Sequence, residues 1–183
     1  MFISVDGFIT GSEGEFDDYE PSAEEAHFAN EFFGLADGIV FGRVTYEGFI
    51  SYWDSLDLTD PSIPKTDIEF AGLFKKKARI VISRTLEQVG PNTIHIKEDI
   101  AREIWKLKQT TDHYFVLICG PELLATLIEL GLVDEYRLLV KPRAFGRGKA
   151  MFANITKKLP LKLLSTRVFE SGTVMLHYEV AKE

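Results

Sequence analysis

Tyr114-Phe115-Val116-Leu117-Ile118-Cys119-Gly120-Pro121-Glu122-Leu123 decides how this chain is read. Six apolar residues without alternation are too few for a membrane span and have the length of a strand, so Tyr114 to Cys119 is expected to be a strand buried on both faces. Gly120 breaks it, and Pro121 suits the first position of a helix, which Gly131 then ends with a left-handed cap. Upstream, helical patterns at Ala23–Leu35, Val44–Tyr52, Asp67–Lys77 and Asp99–Lys108 alternate with short strand patterns at Ile39–Phe41, Arg79–Ser83 and Thr93–Ile96. Phe2–Val5 reads as a first strand turning at Asp6-Gly7, followed by an acidic loop from Thr10 to Glu20; Trp53–Lys65 is a second loop. Downstream come a strand at Tyr136–Val140, a loop at Lys141–Lys149, and two strands within Leu161–Ala181 that turn at Glu170-Ser171-Gly172. Strands alternating with helices and closed by a hairpin predict an α/β fold. The expected form is one three-layer α/β/α domain over residues 1–183, with a mixed, mainly parallel sheet and an antiparallel C-terminal hairpin.

The composition narrows the classes of function. With 183 residues, 45% hydrophobic and 27% charged, the chain is an ordinary globular one. Roughly 70% of its surface can be buried without disulfides or metal. A single cysteine, Cys119, fits a reducing compartment, and nothing after Met1 reads as a signal peptide, so a cytoplasmic location is expected. Residues 1–60 hold fourteen acids against one base, Arg43, while the remaining 123 residues hold fourteen acids and twenty bases. The acidic total argues against nucleic acid as a partner, because such binding rests on neutralising many phosphates. His27, His95, His113 and His177 are widely separated, which predicts no metal site. Cys119 reads as a buried thiol, and Phe28, Phe32 and Phe33 as core. Lys75-Lys76-Lys77-Ala78-Arg79 reads as a solvated helix end.

Three strand ends have the chemistry to meet a phosphate. At Gly42-Arg43-Val44-Thr45 a strand gives way to a helix start with two side-chain donors nearby. At Cys119-Gly120-Pro121-Glu122-Leu123 the same pattern recurs. At Ser83-Arg84-Thr85 two hydroxyls flank a guanidinium, a donor set suited to a phosphate monoester. Each also has a plainer reading, as a turn glycine, a backbone-capping hydroxyl or a surface arginine. No GxGxxG or GxxxxGK[ST] string is present.

These residues, taken in order, resemble a known set. Ser4-Val5-Asp6-Gly7-Phe8-Ile9-Thr10-Gly11 is similar to the S-x-D-G-x-I-x-G opening of the dihydrofolate reductase-like superfamily. More closely, it resembles the riboflavin-biosynthesis reductase C-terminal domain family, as a stand-alone member. Gly42-Arg43-Val44-Thr45-Tyr46-Glu47 resembles that family's G-R-x-T-Y-E element, and Val81-Ile82-Ser83-Arg84-Thr85-Leu86 its V-x-S-R-T-L segment. Leu132-Val133-Asp134-Glu135-Tyr136 with Pro142, Gly146, Gly148 and Phe152 resembles its L-V-D-E-x…P…G-x-G…F pattern. Where the family shows paired glycines after the central strand, this chain has Cys119-Gly120, and it carries none of the zinc-ligand signature of the deaminase often fused to such reductases.

The resemblance implies a bacterial NADPH-dependent oxidoreductase similar to 5-amino-6-(5-phosphoribosylamino)uracil reductase. Such an enzyme passes hydride to a C=O or C=N centre of a small pyrimidine- or pterin-like molecule. It implies that Gly42 and Gly120 meet the pyrophosphate, helped by Arg43, Thr45, Pro121, Glu122 and Leu123. Ser83, Arg84 and Thr85 would hold the 2′-phosphate, and Ile9 and Thr10 would border the nicotinamide. The substrate would lie near Asp6, Trp53, Phe145 and Gly146, with Asp6 either the catalytic acid or an Asx-turn cap. A different class of function, a non-catalytic nucleotide-binding protein or an interaction module dimerising through the terminal hairpin, uses the same fold. The expected partners are a small-molecule substrate and a second copy in a homodimer, with no membrane and no nucleic acid.

Overall fold

The computed structural model describes residues 1–12, 20–110 and 114–181, so most of the predicted acidic loop, and His113, lie outside the described residues. In chain order the elements begin with β1 (Phe2–Ser4), β2 (Phe8–Thr10), α1 (Ala23–Leu35), β3 (Gly38–Gly42) and α2 (Arg43–Phe49), which runs into a π-helical turn at Ile50–Asp54. Then follow α3 (Lys65–Lys76), β4 (Ala78–Ile82), β5 (Thr93–Ile96), α4 (Ile100–Gln109), β6 (Phe115–Ile118) and α5 (Pro121–Glu129). The chain closes with β7 (Glu135–Lys141), β8 (Lys149–Ala150), β9 (Leu161–Val168) and β10 (Val174–Val180). These elements form two compact units, a terminal unit of Met1–Glu24 with Gly120–Glu183 and a central unit of Glu25–Cys119.

The central unit is built on a four-stranded parallel sheet of order β5-β4-β3-β6. β-branched and aromatic residues favour these strands, and at its centre Phe41 and Val81 are wholly buried. Phe41, Tyr46, Phe70, Phe74, Val81 and Leu86 form one core cluster, against which Phe33, Phe49 and Trp53 pack. Each buried aromatic stabilises the fold by about 1.5–3 kcal/mol. Phe33 meets Phe70 edge-on at 5.0 Å, and Phe32 stacks on Tyr114 at 4.9 Å, but the three α1 phenylalanines expected in the core, Phe28 among them, are half-buried. β6 differs from expectation: its four residues are only half-buried. It has one ladder partner in this sheet, β3, whereas β3 and β4 each have two.

The predicted solvated helix end holds for Lys75 and Lys76, exposed in the last turn of α3, and is corrected for Lys77 and Arg79. Lys77 donates to the carbonyls of Gly34 and Ala36, and Arg79 is buried. Its guanidinium makes two 2.9 Å bonds to Asp54 on the π-helical turn and lies 4.3 Å from the Phe74 ring centroid. A run of five residues with four cations reads as surface until its place is known; here the last cation begins a central strand and turns inward.

In the terminal unit, β7 pairs parallel with β1 and antiparallel with β10, which in turn pairs with β9. The hairpin and the left-handed Gly131 after α5 are as predicted. The sequence reading omits β2 and β8, a short antiparallel ribbon in which Phe8 faces Ala150 and Thr10 faces Lys149. Strands of three and two residues are too short to show alternation. Gly148 closes this ribbon: a Cβ there would stand 2.1 Å from the Thr10 carbonyl oxygen.

Asp54→Ala strands a buried guanidinium and is expected to cost about 3 kcal/mol in urea unfolding, whereas Arg79→Met, which fills the volume without charge, costs about 1 kcal/mol or less. Equal losses in the two variants would show that the ion pair is not what matters there.

Candidate functional site

At the carboxyl edge of the central sheet, Gly42 of β3 is in register with Ile82 of β4, and Ile82 with Ile96 of β5. The ladder continues one step further, since the Ser83 amide donates to the Ile96 carbonyl at 3.0 Å. The strand ends Gly42-Arg43, Ser83-Arg84-Thr85 and Lys97 therefore leave the sheet side by side, as ligand-binding strand ends do in α/β folds.

The three ends are not equivalent. Arg43 makes a 2.8 Å ion pair with Glu47 one helical turn on, both side chains nearly half exposed, which fits its plainer reading. Thr45 is half-buried beside it, and Gly42 caps the short α2 without any side-chain bond. Tyr46 is a core residue whose hydroxyl accepts the Gly90 amide at 2.9 Å. At the β4 end, the Ser83 hydroxyl accepts from the amides of Thr85 and Leu86, both at 3.1 Å, and buried Leu86 pins the turn to the core. A hydroxyl that accepts two bonds still has its proton to donate. Arg84 and Thr85 are exposed at the tip of this turn, and among the described residues no side chain pairs with the Arg84 guanidinium. Two neighbours escaped the sequence reading. His95 donates from Nε2 to the Ser83 carbonyl at 3.0 Å, and exposed Lys97 follows β5 directly. The signal for Lys97 was there: a cation at the end of a predicted strand.

In the terminal unit the S-x-D-G string forms a small hydrogen-bonded knot. The wholly buried Ser4 hydroxyl donates to Asp6 at 2.5 Å and accepts the Phe8 amide at 3.0 Å. Asp6 also accepts the amides of Phe145 at 3.2 Å and Gly146 at 2.7 Å, so three of the four residues expected near a substrate come together. The fourth, Trp53, belongs to the central unit, where its ring packs edge-on against Phe70 at 4.6 Å. The Ser4 hydroxyl first, then the Gly146 and Phe145 amides, hold the Asp6 carboxyl below the usual carboxylate range. At neutral pH it is an acceptor with no proton to give, and it anchors the loop in which Gly146 takes a left-handed φ of +71°.

Ile9 and Thr10 lie on β2 with buried side chains, so what they offer outward is backbone. Gly120 caps α5 and Pro121 takes its first turn, as predicted, with Leu123 half-buried. A Glu122 carboxylate oxygen lies 3.2 Å from where a Gly120 Cβ would stand. The helix N-terminus thus already has a negative charge beside it. Cys119 is buried, and no cluster of His, Cys, Asp or Glu among the described residues could hold a metal.

The sequence model of the RibD C-terminal domain matches residues 1–175. The chain belongs to that family. It is 33% identical over 180 residues to YyaP of Bacillus subtilis (strain 168), a match covering 97% of this chain and 91% of that protein. Among solved structures, a protein from Shewanella sp. PV-4 assigned to riboflavin biosynthesis superposes with a TM-score of 0.76 at 19% identity, covering 100% of this chain and 97% of that one. Dihydrofolate reductase from Enterococcus faecalis, complexed with NADP(H), superposes with a TM-score of 0.64 at 17% identity, covering 99% and 94%. The RibD C-terminal domain chain described here therefore has a mixed α/β, dihydrofolate reductase-like fold. Among the described residues no helix is long and apolar enough to cross a membrane.

The Asp6 knot predicts a pH dependence with a definite sign. A carboxyl whose folded value is depressed adds stability above its unfolded value, near pH 4, and loses it as pH falls through the lower folded value. Protection of the Phe145 and Gly146 amides, measured against their intrinsic exchange rates, is expected to persist from pH 7 down through about pH 4 and to be lost only below the ordinary carboxylate range. In Asp6→Ala it should be absent at every pH; protection that survives that substitution would show that the loop is held by something else.

Proposed function

We propose that this chain is an NADPH-dependent reductase acting on a C=O or C=N centre of a small heterocycle of the pyrimidine or pterin type. The observation that carries the proposal is Arg84: an exposed guanidinium without an ion-pair partner among the described residues, set between two hydroxyls at the end of a parallel strand. A guanidinium with two hydroxyl donors matches the oxygens of a ribose 2′-phosphate, the group that distinguishes NADPH from NADH. The family match and the fold likeness to a reductase complexed with NADP(H) support the same reading.

When bound, the reduced nicotinamide supplies the hydride. The chain's own residues have separate tasks. Ser83, Arg84 and Thr85 hold the phosphate, with the Ser83 hydroxyl fixed in place by the two amides it accepts. Asp6 orients the Phe145-Gly146 segment as a carboxylate acceptor. The reaction adds hydride to carbon and a proton to the attached oxygen or nitrogen, and that proton comes from solvent, since Asp6 is ionised at neutral pH. The residues suit a phosphate less well at α5, where Glu122 would repel it.

Calorimetric titration of NADPH and NADH into the wild-type protein and Arg84→Ala tests the reading. The expected result is a wild-type preference for NADPH that falls about tenfold or more in Arg84→Ala, the size of a lost charge-assisted bond of about 1.5 kcal/mol or more. No saturable binding of either nucleotide, or an unchanged preference in the variant, would overturn it.

A further inference from the structure

The longest strand of the terminal unit is also the end of its sheet. β9 has eight residues and pairs with β10 on one side; among the described residues nothing pairs with its other side. Such an edge is a template for another strand unless proline, unpaired charge or a cover blocks it. β9 contains no proline, and both of its cations are drawn to acids of the same unit, Lys162 to Glu179 at 2.8 Å and Arg167 to Glu24 at 3.0 Å. Its apolar side chains stand in solvent: Val168 is 71% exposed, Leu163 50% and Leu164 42%.

The ladder fixes which groups face outward. The Phe169 amide donates to the Thr173 carbonyl, so by alternation Arg167 and Ser165 turn their backbone groups toward β10, and Thr166 and Val168 turn theirs to the free edge. Val168, Thr166 and Leu163 lie opposite Val174, Leu176 and Tyr178, alternate residues of β10, and therefore share one face of the sheet. Leu164 falls at the register shift between His177 and Tyr178 and has no partner on β10.

This pattern is complementary to itself. A second β9 laid antiparallel about a two-fold axis at Thr166, skipping Leu164 as β10 does, brings Thr166 to Thr166, Arg167 to Ser165 and Val168 to Leu163. The two most exposed apolar residues of the strand then cover each other on both sides of the axis, and neither cation meets another. The neighbouring registers fail on charge: centring on Arg167 sets two guanidinium groups opposite each other, and centring on Ser165 sets Arg167 opposite Lys162.

We propose that β9 is the interface of a homodimer, paired with β9 of a second copy about a two-fold axis at Thr166, so that the two four-stranded terminal sheets become one continuous sheet. The occupant is a second copy because the strand matches itself residue for residue, as an isologous contact requires. The proposal does not depend on the cofactor reading.

Size-exclusion chromatography with light scattering over a concentration series tests it. The wild type is expected to be a dimer. Val168→Lys enters the interface twice and is expected to weaken the dimer at least about tenfold, while the fold is kept because Val168 is exposed in the single chain. Thr166→Cys sets two thiols across the axis, so a short bismaleimide is expected to join the two copies; Lys158→Cys, on the exposed loop before β9, is expected not to be joined, and Cys119 is buried. A wild type that stays monomeric throughout the series overturns the proposal. A dimer that Val168→Lys leaves unchanged, or one whose Thr166→Cys copies are not joined, has its interface elsewhere and overturns it as well.

Discussion

Parallel pairing in the central unit is the constraint on which the candidate site depends. Because β3, β4 and β5 run in the same direction and in register, their polar C-terminal residues must all leave the sheet at one edge. Gly38 shows how tightly the start of that register is set: a Cβ there would stand 2.7 Å from the Ala78 carbonyl oxygen, so only glycine lets β3 lie this close to β4. The wholly buried Phe41 and Val81 sit one residue before the strand ends, anchoring the edge to the core. A shift of one residue would turn these side chains to the wrong face and break the bond between the Ser83 amide and the Ile96 carbonyl.

Small hydroxyl-bearing residues then convert strand ends into fixed turns. Ser83 gathers two amides, Ser4 joins Asp6 to the Phe8 amide, and the Tyr46 hydroxyl receives the Gly90 amide. In each case a side-chain oxygen satisfies backbone groups that the sheet or helix has left unpaired. Much of what looks like a functional motif in the sequence is spent on this: in Gly42-Arg43-Val44-Thr45-Tyr46-Glu47, Tyr46 is core and Arg43 and Glu47 neutralise each other. Of the two arginines in these motifs, Arg84 is the one without an ion-pair partner among the described residues.

The elements legible in the sequence are those with a clear period or a clear stop. α1 and β5 have the predicted limits, and the terminal hairpin turns where Ser171-Gly172 requires it. Features that depend on distant partners were not legible. The β2–β8 ribbon needs a glycine about 140 residues away to close on Thr10. Arg79 is buried because Asp54, on a turn 25 residues earlier, receives it. The three strand ends with phosphate chemistry were visible as candidates, but only pairing geometry separates the neutralised Arg43 from the unpaired Arg84. Asp6 was visible as an acid near a turn; its carboxyl is held below the usual range first by the Ser4 hydroxyl two residues away and then by amides of a loop far along the chain, and only the second of these needs the fold to be known.

Charge separates the candidate strand ends within each unit. In the terminal unit the Glu122 carboxylate interacts favourably with the N-terminus of α5, so an anion brought there meets a like charge, at a cost of about 1 kcal/mol for a separation near 4 Å in water. In the central unit the Ser83-Arg84-Thr85 turn carries an exposed guanidinium that no side chain among the described residues pairs with, so an anion brought there meets an attractive charge. The same pattern of strand, polar residue and turn thus has opposite electrostatic character in the two places, and the difference lies in whether an acid follows the strand end in the chain.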